Sequence, residues 1–174
     1  PTDPTITGSF GNILTYKNLK LNVFVTYSFG NVIRLDPVFS NAYSDLDAMP
    51  KEFKNRWMKA GDENVTNIPT IVSTRMNQQY AYLNMAYNAY NYSDVRIADG
   101  GFIRLKEISL SYDLPAKVIN FFRLNKLQLK LQATNLCLLY ADSKLNGQDP
   151  EFFRSGGVST PVPKQFTFTV RLGL

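Results

Sequence analysis

The sequence has no histidine, a single cysteine and no run of apolar residues long enough to form a membrane-spanning helix. Without histidine the chain lacks the commonest general base, so His-dependent triads and most zinc sites are excluded. Cys137 is the only cysteine, and no disulfide can form within the chain. A transmembrane helix requires about 20 consecutive apolar residues and is therefore excluded. Membrane-spanning strands stay possible, because half of their residues are polar.

Charged residues are also scarce, at 19% of 174 residues, whereas aromatic residues reach 13%. The net charge is +5, but Lys and Arg are scattered and form no basic tail or recognition helix. We therefore expect no nucleic-acid partner. The chain also lacks a nucleophile motif and a carboxylate pair on rigid elements. We expect no enzymatic activity, no metal and no cofactor.

Residues 164–174 alternate between apolar and polar side chains, which is typical of a β-strand with unlike environments on its two faces. A tilted strand of about 9–11 residues can cross a bilayer, whereas strands of soluble proteins are usually about five or six residues long. Four further segments share the alternation, though less regularly. Together they predict an all-β chain with strands near 6–16, 19–30, 102–113, 127–139 and 164–174.

The alternation divides the strand residues into two sets, which we expect to face lipid and the wet lumen of a barrel. The expected lipid-facing residues are Phe166, Phe168, Val170, Leu172, Leu174, Leu127, Leu129, Leu131, Leu21, Val23 and Val25. The expected lumen-facing residues are Lys20, Lys130, Thr167, Thr169 and Arg171. The charges of Lys20, Lys130 and Arg171 would pair with a plug or contact substrate. Strict alternation puts Arg104 and Lys106 on the side of Ile108, as in a strand that leaves the bilayer there.

Four tyrosines lie near the ends of the predicted strands, where outer-membrane barrels carry an aromatic girdle at the bilayer interface. These residues are Tyr16, Tyr27, Tyr112 and Tyr140. We expect them to mark the two membrane boundaries.

The connections between the predicted strands alternate between short and long. Tyr16–Leu19 predicts a tight hairpin in which Asn18 tolerates a left-handed backbone, and 114–126 predicts a moderate turn. By contrast, 31–101 and 141–163 are long loops. Bacterial outer-membrane barrels combine short periplasmic turns with long extracellular loops. We therefore expect both long segments to be extracellular.

The first long loop is expected to have structure of its own. Pro50 and Gly61 bound a predicted short helix at 50–60, with Phe53 and Trp57 on one face. An Asn-rich stretch follows, and its tyrosines together with Trp57 are candidate substrate or partner contacts, because aromatic rings bury large areas at low entropic cost. Packing within the loop is the alternative. The tyrosines are Tyr80, Tyr82, Tyr87, Tyr90 and Tyr92.

In the second long loop, Asp149 and Glu151 flank Pro150. Carboxylates are ligands for hard cations, but two of them are too few to specify a site. We expect a solvated turn here.

Motifs in order along the chain resemble SusC/RagA-like TonB-dependent transporters. Arg56-Trp57, Gly61-Asp62-Glu63 and Asn67-Ile68-Pro69 resemble an extracellular loop of that family. The block IADGGFIRLKEISLSYDLP at 97–115 is similar to its strand near the C-terminus. Residues 133–136, 147–151 and 163–174 continue the pattern. The chain departs from the family at Cys137 and Leu174, where aromatic residues are common.

The resemblance implies that residues 1–174 are the last five or so antiparallel strands of a 22-stranded transmembrane β-barrel, with long extracellular loops and a short loop helix. Its plug domain would lie outside this chain. Five strands would leave two unpaired edges in lipid, so the N-terminal remainder of the barrel and its plug are expected partners. We expect the chain to be the C-terminal piece of a transporter cut in a surface loop.

The same resemblance implies location in the outer membrane of a Gram-negative bacterium, in contact with its lipid. The function implied is import of glycans or peptides, with a SusD-like surface lipoprotein as lid and TonB acting through the plug. The alternative is a secreted β-rich carbohydrate-binding module or adhesin. Such a module would be soluble without detergent and would fold on its own.

Overall fold

The computed structural model describes residues 1–38, 46, 49–121, 124–153 and 161–173. It divides into two compact units. The first consists of Pro1–Val32, Asp99–Asp142 and Gln148–Leu174, and the second of Ile33–Ala98 and Ser143–Gly147. None of the helices in the described ranges is long and apolar enough to cross a membrane.

The chain forms seven strands and three short α-helices in the described ranges. The strands are β1 (Ile6–Tyr16), β2 (Leu19–Phe29), β3 (Val32–Arg34), β4 (Ile97–Asp99), β5 (Phe102–Asp113), β6 (Lys126–Ala141) and β7 (Gln165–Gly173). The helices are α1 (Thr74–Gln79), α2 (Leu83–Tyr92) and α3 (Ala116–Phe121), and α3 lies in the segment predicted as a turn.

The first unit is built on one antiparallel sheet, in the order β1-β2-β5-β6-β7. This confirms the predicted antiparallel all-β architecture. The sheet is open, with β1 and β7 as its edges. β1 and β2 are joined by a two-residue turn in which Lys17, not Asn18, takes the left-handed conformation, with φ of 52°.

Directly opposed residues of neighbouring strands lie on the same side of a sheet. The register therefore collects apolar residues on one side of this sheet and polar residues on the other. One row across β2, β5, β6 and β7 is apolar, and we call its side the apolar face: Leu21, Leu110, Leu131 and Phe168. The adjacent row is hydrophilic, and we call its side the polar face: Lys20, Ser111, Lys130 and Thr169.

A β-bulge in β5 overturns the expectation for Arg104 and Lys106. The register shifts between Leu105 and Glu107, so Val25 pairs with Leu105 and Thr26 with Arg104. Val25 lies on the apolar face, so the next residue, Thr26, lies on the polar face. Its partner Arg104 therefore lies on the polar face too, rather than on the side of Ile108. The physical reason is that the extra residue, Lys106, resets the alternation by one position.

The second unit contains β3, β4, α1, α2 and several short 3₁₀ turns. Its core is the cluster of Val38, Phe53 and Ile68, with Met49 and Tyr90 packed against it. The predicted helix at 50–60 is wrong beyond its first turn, since only a 3₁₀ helix at Lys51–Asn55 forms. It ends because Arg56 is extended and the Trp57 N–H donates to the Ile68 carbonyl at 2.9 Å. Phe53 is buried, whereas Trp57 is partly exposed.

Candidate functional site

A buried ion pair lies on the polar face of the sheet. Arg104 of β5 donates through Nη2 to both carboxylate oxygens of Asp149, at 2.5 and 2.6 Å, and lies 3.2 Å from Glu151 Oε2. The Arg104 and Asp149 side chains are 6% and 8% exposed. The expected solvated turn is therefore wrong for Asp149, because the β-bulge brings Arg104 to it. Among the described residues, no group of three His, Cys, Asp or Glu side chains could hold a metal ion.

The five predicted lumen-facing residues lie on the same polar face. Lys130 Nζ is 4.0 Å from Glu107 Oε1, which also accepts a hydrogen bond of 3.2 Å from Asn22 Nδ2. Lys130 therefore has a carboxylate of its own sheet nearby. The remaining four are placed by their cross-strand partners: Lys20 opposite Ser111, Thr167 opposite Gln132, Thr169 opposite Lys130 and Arg171 opposite Gln128.

A cavity of about 470 Å³ opens at one end of the polar face, and we call it the polar cavity. β2 and β5 contribute Thr26, Ser28, Phe102 and Lys106 to its lining. The segment before β1 contributes Asp3, and the segment that Arg104 holds contributes Glu151. The cavity combines hydroxyl groups with charges of both signs.

The apolar face is strongly exposed. Phe166 is 77% exposed and Phe168 61%, whereas Ser109 and Gln128 on the polar face are 4% and 8% exposed. Soluble domains show the opposite distribution, with apolar residues inside. The remaining predicted lipid-facing residues share this face and are exposed or half-buried: Val170, Leu172, Leu127, Leu129, Leu131, Leu21, Val23 and Val25. Leu174 lies outside the described residues.

Two aromatic rows bound the apolar face. Leu19 pairs with both Tyr16 and Tyr112 at one end of the strands. At the other end Ile103 pairs with both Tyr27 and Tyr140. From Leu19 to Tyr27 β2 advances eight residues, or roughly 26 Å at about 3.3 Å per residue. A tilt of about 40° reduces this to roughly 20 Å, close to the apolar band of about 25 Å in transmembrane barrels.

The second unit has its own cavity of about 470 Å³, which we call the loop cavity. Trp57, Tyr87 and Tyr90 line it, so the fold brings together three of the six aromatic residues proposed as contacts. Tyr87 Oη donates to the Thr70 carbonyl at 2.5 Å, and Tyr90 packs on the core cluster. Tyr80, Tyr82 and Tyr92 are exposed and do not line the cavity.

The Glu63 carboxylate lies at the edge of the loop cavity and accepts hydrogen bonds from three N–H groups. Its own backbone N–H, the Trp57 indole and the Gly61 N–H lower the pKa of Glu63. The Trp57 Nε1–Glu63 Oε2 distance is 3.1 Å and the Gly61 N–Glu63 Oε2 distance is 2.7 Å. Gly61 has φ of 101°, a left-handed conformation that glycine adopts without strain. The motif residues Trp57, Gly61 and Glu63 thus form one local structure.

Arg96 is the buried charge of the second unit, at 3% exposure. Its guanidinium donates to both oxygens of Glu52, at 2.8 and 2.9 Å, and to the Asp36 carbonyl. Burial lowers the pKa of Arg96, but the Glu52 hydrogen bonds and charge outweigh burial and raise it overall. Burial also raises the pKa of Tyr87 and of Tyr90. The arrangement ties Arg96 to Glu52 and to the Asp36 backbone within the second unit.

Sequence reasoning missed the roles of Arg104, Lys106 and Arg96. For the first two a signal was present, since the adjacent charges Lys106 and Glu107 interrupt the alternation where a bulge inserts a residue. Arg96 gave no local signal, because its partner Glu52 is 44 residues away in sequence.

Comparison with known proteins points to one family. No protein-family model matches the sequence. TonB-dependent receptor P3 of Formosa agariphila is 27% identical over 85% of this chain and 13% of the receptor. TonB-dependent receptor P26 of the same organism is 26% identical over 98% of this chain and 17% of the receptor. The chain thus spans less than a fifth of the length of these relatives.

Solved structures show the same likeness in the fold. The RagAB peptide importer in its open-open state matches with a TM-score of 0.65 and 21% identity, over 99% of this chain and 17% of that chain. A structure of the RagAB peptide transporter matches with a TM-score of 0.66 and 23% identity, over 97% of this chain and 17% of that one. The chain is therefore similar to TonB-dependent receptors in sequence and to part of RagAB in fold, as its motifs predicted.

Proposed function

We propose that this chain forms part of the wall and surface loops of a TonB-dependent importer in the outer membrane of a Gram-negative bacterium. The observation that carries the proposal is the exposed apolar face, bounded by two aromatic rows and backed by a polar face. A sheet in water would bury that apolar face against another layer. A sheet with lipid on one side and a wet lumen on the other needs no such layer.

The open sheet also supports a larger barrel. β1 and β7 are edge strands, and unpaired backbone groups are costly in lipid. We therefore propose that further strands close the sheet into the 22-stranded barrel and that a plug fills its lumen. The segments 31–101 and 141–163 would then lie outside the cell. The polar face, with its ion pairs, would line the lumen.

The chain's part in transport is structural and non-enzymatic in this proposal. RagAB is described as a peptide importer, and we propose import of glycans or peptides for the protein that contains this chain. A SusD-like lipoprotein would cap the barrel and contact the exposed Tyr80, Tyr82 and Tyr92. TonB would supply energy through the plug.

Membrane fractionation of cells that produce the full-length protein tests the proposal. We expect the protein to sediment with the outer membrane, to resist extraction by carbonate and to dissolve only in detergent. Protease added to intact cells should cleave within 31–101 or 141–163 but not at the Lys17 turn or in α3. A protein that is soluble without detergent would contradict the proposal and favour a secreted binding module or adhesin.

A further inference from the structure

The polar cavity contains two opposite charges that the fold holds in place. Lys106 is the extra residue of the β5 bulge, and bulges commonly redirect a side chain next to a functional site. Asp3 belongs to the segment that continues the β1–β2 pairing. In that segment the Thr5 N–H donates to the Phe29 carbonyl at 3.1 Å, and the Val32 N–H donates to the Pro1 carbonyl at 3.0 Å.

Neither of these charges has a partner in the part of the chain that the structure describes. Among the described residues, no ion pair or side-chain hydrogen bond involves the Lys106 ammonium or the Asp3 carboxylate. Arg104 and Arg96, by contrast, are both buried in ion pairs. The third charge of the lining, Glu151, is 44% exposed and only partly engaged by Arg104. The cavity therefore presents one cationic and two anionic groups to a ligand.

The aromatic rings at the cavity are already engaged. The Arg104 guanidinium lies over the Phe102 ring, 5.5 Å from its centre. Tyr27 also lines the cavity, but it belongs to the aromatic row that bounds the apolar face, where its ring stacks with Phe29 at 6.1 Å between ring centres. Sugar recognition usually depends on a free ring face, so these rings favour a ligand recognised by charge and hydrogen bonds instead.

We propose that the polar cavity binds a short zwitterionic peptide, with its carboxylate at Lys106 and its ammonium group at Asp3 and Glu151. A cavity of about 470 Å³ is roughly 10 Å across, which suits two or three residues at about 3.4 Å each. Thr26 and Ser28 supply hydroxyls for the peptide groups between the two ends. The inference rests on the proposed function and names the substrate class of the importer.

Calorimetric titration of the purified full-length protein in detergent tests the inference. The probes are trialanine with free termini and N-acetylated trialanine amide, which lacks both charges. We expect Lys106→Gln to weaken binding of free trialanine by about tenfold or more, because it removes the cation that meets the carboxylate. Lys106→Arg should retain most of the affinity. Lys126→Gln is the matched control, since it removes an exposed polar-face lysine at the start of β6, away from the cavity, and should leave the affinity unchanged.

Three outcomes would overturn the inference. They are equal affinity for the free and capped peptides, an equal loss in Lys126→Gln, or tighter binding of the neutral trisaccharide maltotriose. A protein that resides in the outer membrane yet gives one of these results refutes this inference alone. A protein that is soluble without detergent refutes the proposed function, whatever the titration shows.

Discussion

Arg104 and Asp149 form a buried ion pair that joins the polar face of β5 to the segment after β6, across 45 residues of sequence. Burying two charges is costly unless each satisfies the other, and here one guanidinium nitrogen contacts both carboxylate oxygens. The pair fixes Pro150 and Glu151 at the rim of the polar cavity. Residues 149–151 are thus held against β5.

Removing one member of this pair should release the loop. Arg104→Ala leaves the Asp149 carboxylate buried without a partner, and we expect the attached segment to be destabilised by about 3 kcal/mol. Native-state proteolysis of 143–153 measures the change. The double variant Arg104→Ala/Asp149→Ala should lose less than the sum of the two single variants.

Lys130→Ala is the control for that cycle. Lys130 Nζ lies 4.0 Å from Glu107 Oε1, and each of the two side chains is 25% exposed. Loss of this ion pair should therefore cost about 1 kcal/mol or less. Strict additivity at Arg104 and Asp149 would show that the two charges are not coupled.

Neighbouring residues of β7 should report opposite environments. In a Cys137→Ser background, a spin label at Phe168→Cys should be accessible to oxygen, which concentrates in lipid. The same label at Thr167→Cys should be accessible to a water-soluble nickel complex. The two positions differ by one residue and lie on opposite faces. Equal water accessibility at both positions would argue against lipid on the apolar face.

The loop unit should respond to acid through Glu63. Hydrogen bonds from its own backbone, Trp57 and Gly61 hold the pKa of Glu63 below its usual value of 4.5. The stability that the carboxylate contributes is therefore complete above about pH 4.5 and is lost as the pH falls through the lowered pKa. The fluorescence of Trp57, the one tryptophan in this chain, should change over that range. In Glu63→Gln the same titration should be flat, and a persisting transition would assign it to another group.

Tyr87 should matter more to stability than Tyr82. Tyr87→Phe removes the hydrogen bond of 2.5 Å to the Thr70 carbonyl beside the loop cavity. We expect a loss of about 1 kcal/mol, measured by hydrogen exchange of α2. Tyr82 is 73% exposed, so Tyr82→Phe should change the exchange rates little. Equal effects would mean that the Tyr87 hydroxyl contributes nothing specific.

The sheet was predictable because its two faces impose a period of two that can be read along each strand. The predicted bounds of β1 and β5 coincide with those in the structure, and β6 is longer by one residue at its start and two at its end. The bulge at Lys106 was missed, because strict alternation was extended through two adjacent charges.

The loop unit was harder to predict, because tertiary contacts rather than local periodicity determine it. α2 is rich in Asn and Tyr, which are mediocre helix formers, yet it forms with Tyr90 packed on the core. The spacing of Phe53 and Trp57 suggested one longer helix. Instead, the Trp57 N–H donates to the Ile68 carbonyl, and the chain is extended from Arg56.

The two open edges also limit how this five-strand block can be exchanged between related proteins. β1 offers 11 residues and β7 offers 9 to whichever strands adjoin them. If the register of a new neighbouring strand were shifted by one residue, its apolar side chains would lie on the polar face of the sheet. A shift of two residues would keep them on the apolar face. Chimeric proteins that contain these strands should therefore assemble only when the register of β1 and of β7 with their new neighbours is shifted by an even number of residues.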